Sequence, residues 1–348
     1  MKTVKIKNTI IGKDHPTYII AEIGGNFYTY NDGKKIIDAA IQSGANAVKI
    51  QTFSAENLVS KYATFNLPVV GGKKKQFQIL KDLELKRVIQ KKIIEYCKTK
   101  NIAIFSSPSH KSDVDFLEEQ NVPAHKLGSD DLTNIPLIKY IGKCGKPTIM
   151  STGMSDMKEV KEAVKAFYST GNKNLILLHC VSMYPSEPKF TNLKAIQTMQ
   201  KQFNIPIGWS DHTKGIDVCI AAATLGANVI EKHFMLNKKS AGPDSLLSAN
   251  PSELYQLTNS IHIIQTAMGT GKKLPAKNEI STRKDIRKSV VAIKNIKKGT
   301  KITVDSVDVK RPGYGLPPSD LTKIIGKIAR RNIQNDKPLM KSDVIWKN

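Results

Sequence analysis

The sequence predicts a (β/α)8 barrel, a TIM-type α/β fold, followed by a small β-rich domain. Short β-branched runs alternate with longer amphipathic stretches, this alternation occurs eight times, and the texture changes after residue 268. At 348 residues, 40% of them apolar, the chain is long enough to bury a large core.

TYIIAEIG (17–24) reads as the first strand, and NDGKKIIDAAIQSG after it places Ile36, Ile37, Ala40 and Ile41 at helical spacing with Gly44 as a stop. ANAVKIQTF (45–53) is the second strand. LKRVIQKKIIEYCKTKN is its helix, and IAIFSS (102–107) is the third strand. DVDFLEEQN, AHKLGS (124–129), NIPLIKYIGKCG and PTIMSTG (147–153) continue the series through the fifth strand. MKEVKEAVKAFYSTG leads to LILLHCV (175–181), TNLKAIQTMQKQF to IPIGWSD (205–211), and IDVCIAAATLG to ANVIEKHF (227–234). A helix around SELYQLTNSIHIIQTAMG closes the set. Eight repeats without a GxGxxG turn favour a closed barrel over an open doubly wound sheet. The expected domains are a barrel over 1–268, a basic polar linker over 269–287, and a small domain over 288–348 with short strands and turns at KKGT and RPGYG.

Composition narrows the function classes. Cys97, Cys144, Cys180 and Cys219 have no CxxC or CxxH spacing, so neither a disulfide framework nor a zinc finger is expected. The N-terminus lacks a signal-peptide pattern and no run approaches the ~20 apolar residues of a spanning helix, which predicts a cytoplasmic protein with no membrane association. The net charge of +24 favours anionic partners. Because the lysines are spread along the chain, with short clusters such as Lys73, Lys74 and Lys75, and no nucleic-acid-binding motif is present, nucleic acid ranks below a small anion.

In a barrel of this kind the site forms at the C-terminal strand ends. Polar residues collect there at nearly every strand: Glu22; Lys49, Gln51 and Thr52; Ser106 and Ser107; Lys126 and Ser129; Ser151 and Thr152; His179, Ser182 and Tyr184; Ser210, Asp211 and His212; Glu231 and His233. His212 and His233 end adjacent strands and can converge on a labile divalent cation. Lys49 and Lys126, each near the end of an interior strand, need counter-charges, because an unpaired buried ammonium is costly. An anionic substrate supplies one; a buried ion pair with Glu22 or Glu231 is the alternative.

AEIG, AVKIQTF, HKLGSDD, PTIMSTGM, LLHC with a following YP, WSDHT, EKHF, GPD and KRPGYG together make the chain resemble the sialic acid synthases, from about residue 2 to residue 345. Those enzymes condense phosphoenolpyruvate with an N-acetylmannosamine-type sugar to form a nonulosonic acid. The resemblance implies a (β/α)8 barrel, a C-terminal antifreeze-like (SAF) domain, a divalent metal such as Mn2+ or Mg2+, and a domain-swapped homodimer. It implies that His212 and His233 hold the metal, that Lys49, Lys126, Ser129 and Ser151 hold phosphoenolpyruvate, and that Glu22 acts near the reacting centre; apart from the resemblance, the hydroxyls of Ser107, Ser129, Ser151 and Thr152 are expected donors for carboxylate or phosphate oxygens. Gln51, Ser182, Tyr184 and Asp244 fall on the sugar side, and Arg311 reaches the sugar's acyl group from the other subunit. GGNFYTYNDG departs from the family's Asn-His-x-Gly stretch, with Phe27 in place of the histidine, and Ser182 stands where well-known members have Asn. These departures leave open N-acetylmannosamine, its 6-phosphate and the 2,4-diacetamido-trideoxy sugars of legionaminic or pseudaminic acid synthesis. A non-catalytic carbohydrate- or nucleic-acid-binding barrel is the reading from another class.

Overall fold

The computed structural model describes residues 2–67, 72–238 and 244–346. Gly242 and Pro243 of the GPD stretch lie outside them. The chain divides into two compact units, Met1–Gly269 and Thr270–Asn348.

All eight expected strands form in the first unit: β1 (Tyr18–Glu22), β2 (Ala47–Thr52), β3 (Ala103–Pro108), β4 (His125–Leu127), β5 (Thr148–Ser151), β6 (Leu175–Cys180), β7 (Ile207–Asp211) and β8 (Val229–His233). Parallel ladders run in the order β3-β2-β1-β8-β7-β6-β5-β4, and β3 packs against β4 to close the ring. Helices follow in turn: α1 (Tyr30–Gln42), α2 (Arg87–Thr99), α3 (Lys111–Glu119), α4 (Ile135–Lys143), α5 (Met157–Tyr168), α6 (Lys194–Phe203), α7 (Asp217–Thr224) and α8 (Pro251–Met268). Local chemistry fixes their starts. Asp156 and Glu159 form a reciprocal cap on α5, and Asn250 and Glu253 do the same on α8, which also carries Pro251 in its first turn.

Alternation along each strand sorts side chains into two cores. Ala21, Val48, Trp209 and Ile230 point outward and pack under the helices. Ile20, Phe105, Ile149 and Leu178 point inward and fill the lower barrel together with Val4, Ile6 and Ile11. The last three belong to an N-terminal hairpin, Val4–Ile6 paired with Thr9–Ile11, which stoppers the end opposite the polar strand termini. Sequence reading did not find this hairpin, because its strands are three residues each. It also passed over the insertion between β2 and α2, which holds two short helices and a second hairpin, Thr64–Leu67 with Gly72–Lys75.

The second unit is built from short strands, Ser289–Ala292 with Val307–Lys310 and Ile328–Ala329 with Val344–Ile345, around a core that includes Val290, Ile302, Ile324, Leu339 and Val344. The segment expected as linker carries a ten-residue helix, Lys277–Ile286, with no buried residue. Among the described residues, no helix is long and apolar enough to cross a membrane.

Candidate active site at the barrel mouth

Inward parity brings Glu22, Lys49, Gln51, Ser107, Lys126, Ser151, Glu231 and His233 into one cup. The Lys49 ammonium lies 2.5 Å from Glu22 Oε2 and 3.5 Å from Glu231 Oε1, and donates to Ser107 Oγ at 3.3 Å. Lys126 donates to Ser151 Oγ at 2.6 Å and to the Leu127 carbonyl at 3.1 Å, and stands 3.8 Å from Glu231 Oε2. Glu231 therefore bridges the two ammonium groups. Gln51 Nε2 and the Gly24 amide both donate to Glu22 Oε1, at 3.3 and 2.9 Å. The lysines thus have protein counter-charges, the alternative that sequence reading left open.

Their environments differ. Burial works against the charge on Lys49, but Glu22 and Glu231 outweigh it and hold the pKa above the usual lysine value. Burial also disfavours the charged form of Lys126; Glu231 opposes this only in part, Lys49 adds like-charge repulsion, and the pKa ends below the usual value. Burial pushes the Glu231 carboxyl up, but Lys126 and Lys49 pull harder and keep it ionised.

Above this layer the Ser129 hydroxyl accepts the Gly153 amide at 3.0 Å. The buried Ser182 Oγ has no hydrogen-bond partner among the described residues. A Cβ at Gly153 would sit 2.3 Å from Ser182 Oγ and 2.8 Å from Ser129 Oγ, so glycine is what lets the two hydroxyls approach this turn.

His212 and His233 do converge, with ring centroids 5.4 Å apart. His212 Nδ1 faces the Val181 carbonyl at 2.9 Å, which assigns the proton to Nδ1 and the lone pair to Nε2. Burial, reinforced by His233, lowers the His212 pKa to about 4, so the ring is neutral near pH 7. His233 Nδ1 lies 3.3 Å from Asp244 Oδ2; burial disfavours its cation, but the carboxylate prevails and the pKa stands above the usual histidine value. His212, oriented through Nδ1 with its Nε2 lone pair free, and His233, whose Nδ1 faces Asp244, would suit a divalent cation with open positions. Tyr184 forms the rim, its ring 4.1 Å from that of His212 and 6.3 Å from that of His233. A different set that could hold a metal, Glu118, His125 and Cys144, joins α3, β4 and the end of α4 away from the cup, and there Lys146 already contacts Glu118 at 3.0 Å.

Parity also removes candidates. Thr52 and Ser106 face outward and bond each other at 2.6 Å, and His179 faces outward with Nε2 2.8 Å from the Thr191 carbonyl. Arg311 belongs to the second unit, where it is exposed.

The NeuB family model matches residues 36–273, and the SAF domain model matches residues 287–345. This chain belongs to the NeuB family. A NeuB-type relative, the N,N'-diacetyllegionaminic acid synthase of Campylobacter jejuni, is 40% identical across 92% of this chain and 98% of its own length. The human N-acetylneuraminate-9-phosphate synthase is 34% identical across 95% of this chain and 93% of its own. A crystal structure of the sialic acid synthetase of Leptospira borgpetersenii, in complex with citrate, superposes with a TM-score of 0.74 at 32% identity, covering 82% of this chain and 97% of that one. These three relatives of the NeuB-family chain are thus sialic-acid-type synthases that differ in product.

Two functional side chains escaped the expected site set, Glu231 as the bridge between lysines and Ser210, which donates to Glu231 Oε1 at 3.2 Å. Both stand two residues before a proposed metal ligand, so strand parity was the available signal.

Proposed function

We propose that the chain is a nonulosonic acid synthase, condensing phosphoenolpyruvate with an N-acylated mannosamine-type sugar and releasing phosphate. The observation that carries this reading is the pair of buried lysines, 49 and 126, within one cup that also holds two histidine rings 5.4 Å apart. Among sugars, a 2,4-diacetamido-trideoxyhexose ranks first, since the legionaminic acid synthase relative is 40% identical and the 9-phosphate synthase 34%.

Lys126, Ser151 and Ser129 take the phosphate and carboxylate oxygens of phosphoenolpyruvate, with Lys49 as second cation. Gln51, Ser182, Tyr184 and Asp244 line the sugar side. His212 and His233 hold Mn2+ or Mg2+, which when bound supplies Lewis-acid polarisation of the open-chain aldehyde. The C2–C3 π pair of the enol phosphate forms the new bond to the aldehyde carbon. Glu22, fixed by the Gly24 amide and Gln51, delivers or removes the proton at the aldehyde oxygen or at the water that adds to C2. Cleavage of the C2–O bond then expels phosphate and leaves the ketone. The enzyme works as a domain-swapped homodimer in which Arg311 of the partner subunit meets the acyl group.

Phosphate release from phosphoenolpyruvate, measured with N-acetylmannosamine, its 6-phosphate and the diacetamido sugars, with and without Mn2+, tests the proposal. Turnover with the diacetamido sugar and metal is expected. Absence of release with every sugar would leave the non-catalytic binding reading. Mixing Arg311→Ala with His233→Ala chains tests the swap, because only a shared site regains activity.

A further inference from the structure

The outward side of the wall behind the two histidines carries a second buried ion pair that the reaction does not use. Lys232 and Asp211 stand opposite each other on β8 and β7, and both side chains are 0% exposed. The Lys232 ammonium lies 2.5 Å from Asp211 Oδ2 and donates to the Thr213 carbonyl, also at 2.5 Å. Asp211 Oδ1 accepts three further bonds, from Trp209 Nε1 at 2.9 Å, the Thr213 hydroxyl at 2.9 Å and the Thr213 amide at 3.3 Å.

Its place in the chain is what gives this pair a role. Asp211 and Thr213 flank His212, and Lys232 immediately precedes His233. One ammonium therefore ties both neighbours of the first histidine to the residue that carries the second. On the inner side the His212 carbonyl is held by the Ser186 amide at 2.8 Å, so the peptide bearing this ring is fixed from two directions. Stability alone does not account for charges here: a well-packed apolar pair of similar volume is commonly as stable as a buried ion pair, or more so. Every oxygen of Asp211 is instead committed to a directional contact, and such contacts specify geometry.

We propose that Lys232 and Asp211 are positioning residues whose buried pair, closed through the Thr213 carbonyl, sets the separation and orientation of His212 and His233 for one divalent cation. This rests on the reading of the two histidines as metal ligands.

The test uses the full chain and Mn2+ alone as the probe, with binding measured by titration calorimetry and unfolding followed in urea. Lys232→Met keeps the length of the side chain and removes its charge. It should weaken Mn2+ binding by about 10- to 100-fold, the range seen when the support of a metal-ligating side chain is lost. It should also lower kcat while leaving the KM for phosphoenolpyruvate near the wild-type value. The double variant Lys232→Met with Asp211→Asn leaves no charge unpaired, so it regains much of the stability lost by the single variant while Mn2+ binding stays weak. That split separates positioning from a merely structural role, and the double variant decides the matter if Lys232→Met fails to fold. Wild-type Mn2+ affinity in the double variant, with affinity lost in His233→Ala, overturns this inference and leaves the metal reading standing. Mn2+ affinity unmoved by His233→Ala overturns the metal reading, and the positioning role with it.

Discussion

The barrel wall carries buried charges on both of its faces, and they are satisfied to different degrees. On the outer face, Asp211 has four donors and Lys232 has two acceptors, all within 3.3 Å. On the inner face the contacts are mixed: Lys49 lies 2.5 Å from Glu22 Oε2 and Lys126 donates to Ser151 at 2.6 Å, but Lys126 meets Glu231 only at 3.8 Å, and Ser182 Oγ and Glu231 Oε2 are buried without a hydrogen bond. A buried polar group left unsatisfied costs about 1–3 kcal/mol, and the cup holds such atoms in Ser182 and Glu231, while every oxygen of Asp211 is bonded. Completeness of bonding, more than burial or charge, separates this outer pair from the residues of the cup.

The comparison can be broken most directly at the ends of the two strands. His233→Ala should abolish condensation and Mn2+ binding while the urea midpoint stays near wild type, because the ring serves the cup; a large loss of stability would place it with the scaffold. Lys126→Met should lower kcat/KM for phosphoenolpyruvate by about 10^3-fold or more, since the charge it offers is desolvated and aimed at an anion; an unchanged phosphate-release rate would remove the lysine from the site. Asp211→Ala should, unlike these two, cost about 3–5 kcal/mol in equilibrium unfolding, the usual result of stranding a buried partner charge, with Mn2+ binding weakened as well. A smaller effect is expected at Gly153, where Ala crowds the Ser129 and Ser182 hydroxyls: KM for phosphoenolpyruvate should rise several-fold, with kcat nearly kept.

Asp131 sharpens the contrast at the lowest magnitude, as a half-buried carboxylate with no ion-pair partner among the described residues. Burial raises its pKa to about 6, and Asp130 and Asp113 add to this against the Asn134 amide. With the folded pKa above the unfolded value, the cost is absent below about pH 4 and grows as pH rises through about 6. Asp131→Asn should therefore add up to about 1 kcal/mol at pH 7, after allowance for solvent screening, and almost nothing at pH 4. Urea unfolding at the two pH values checks this.

Much of this architecture was legible in the sequence. Eight β-branched runs separated by 3.6-period stretches fixed the barrel, because each strand is buried on both faces and each helix on one. That Lys49, Lys126, His212 and His233 share one end of the barrel could be expected because charged or ligating side chains at strand ends have few bland explanations. What escaped was pairwise geometry. Ser106 and His179 looked equivalent to Ser107 and Ser182 until parity within each strand separated helix-facing from cup-facing side chains. Glu231 appeared beside the metal, but its bridging of two lysines from other strands depends on barrel register, which no local pattern encodes. The three-residue strands of the N-terminal hairpin were too short for an alternation to register.

That hairpin has a kinetic consequence. Val4, Ile6 and Ile11 extend the packed layer of Ile20, Phe105, Ile149 and Leu178 beneath the cup, so among the described residues the cup is reached from its mouth. A reactant seated at the depth of Lys126 must enter before a bulkier one occupies the Tyr184 threshold, and nothing can exit from beneath it. Turnover should accordingly follow a compulsory sequence of arrivals, visible when a dead-end analogue of the later substrate inhibits competitively against that substrate and uncompetitively against the earlier one.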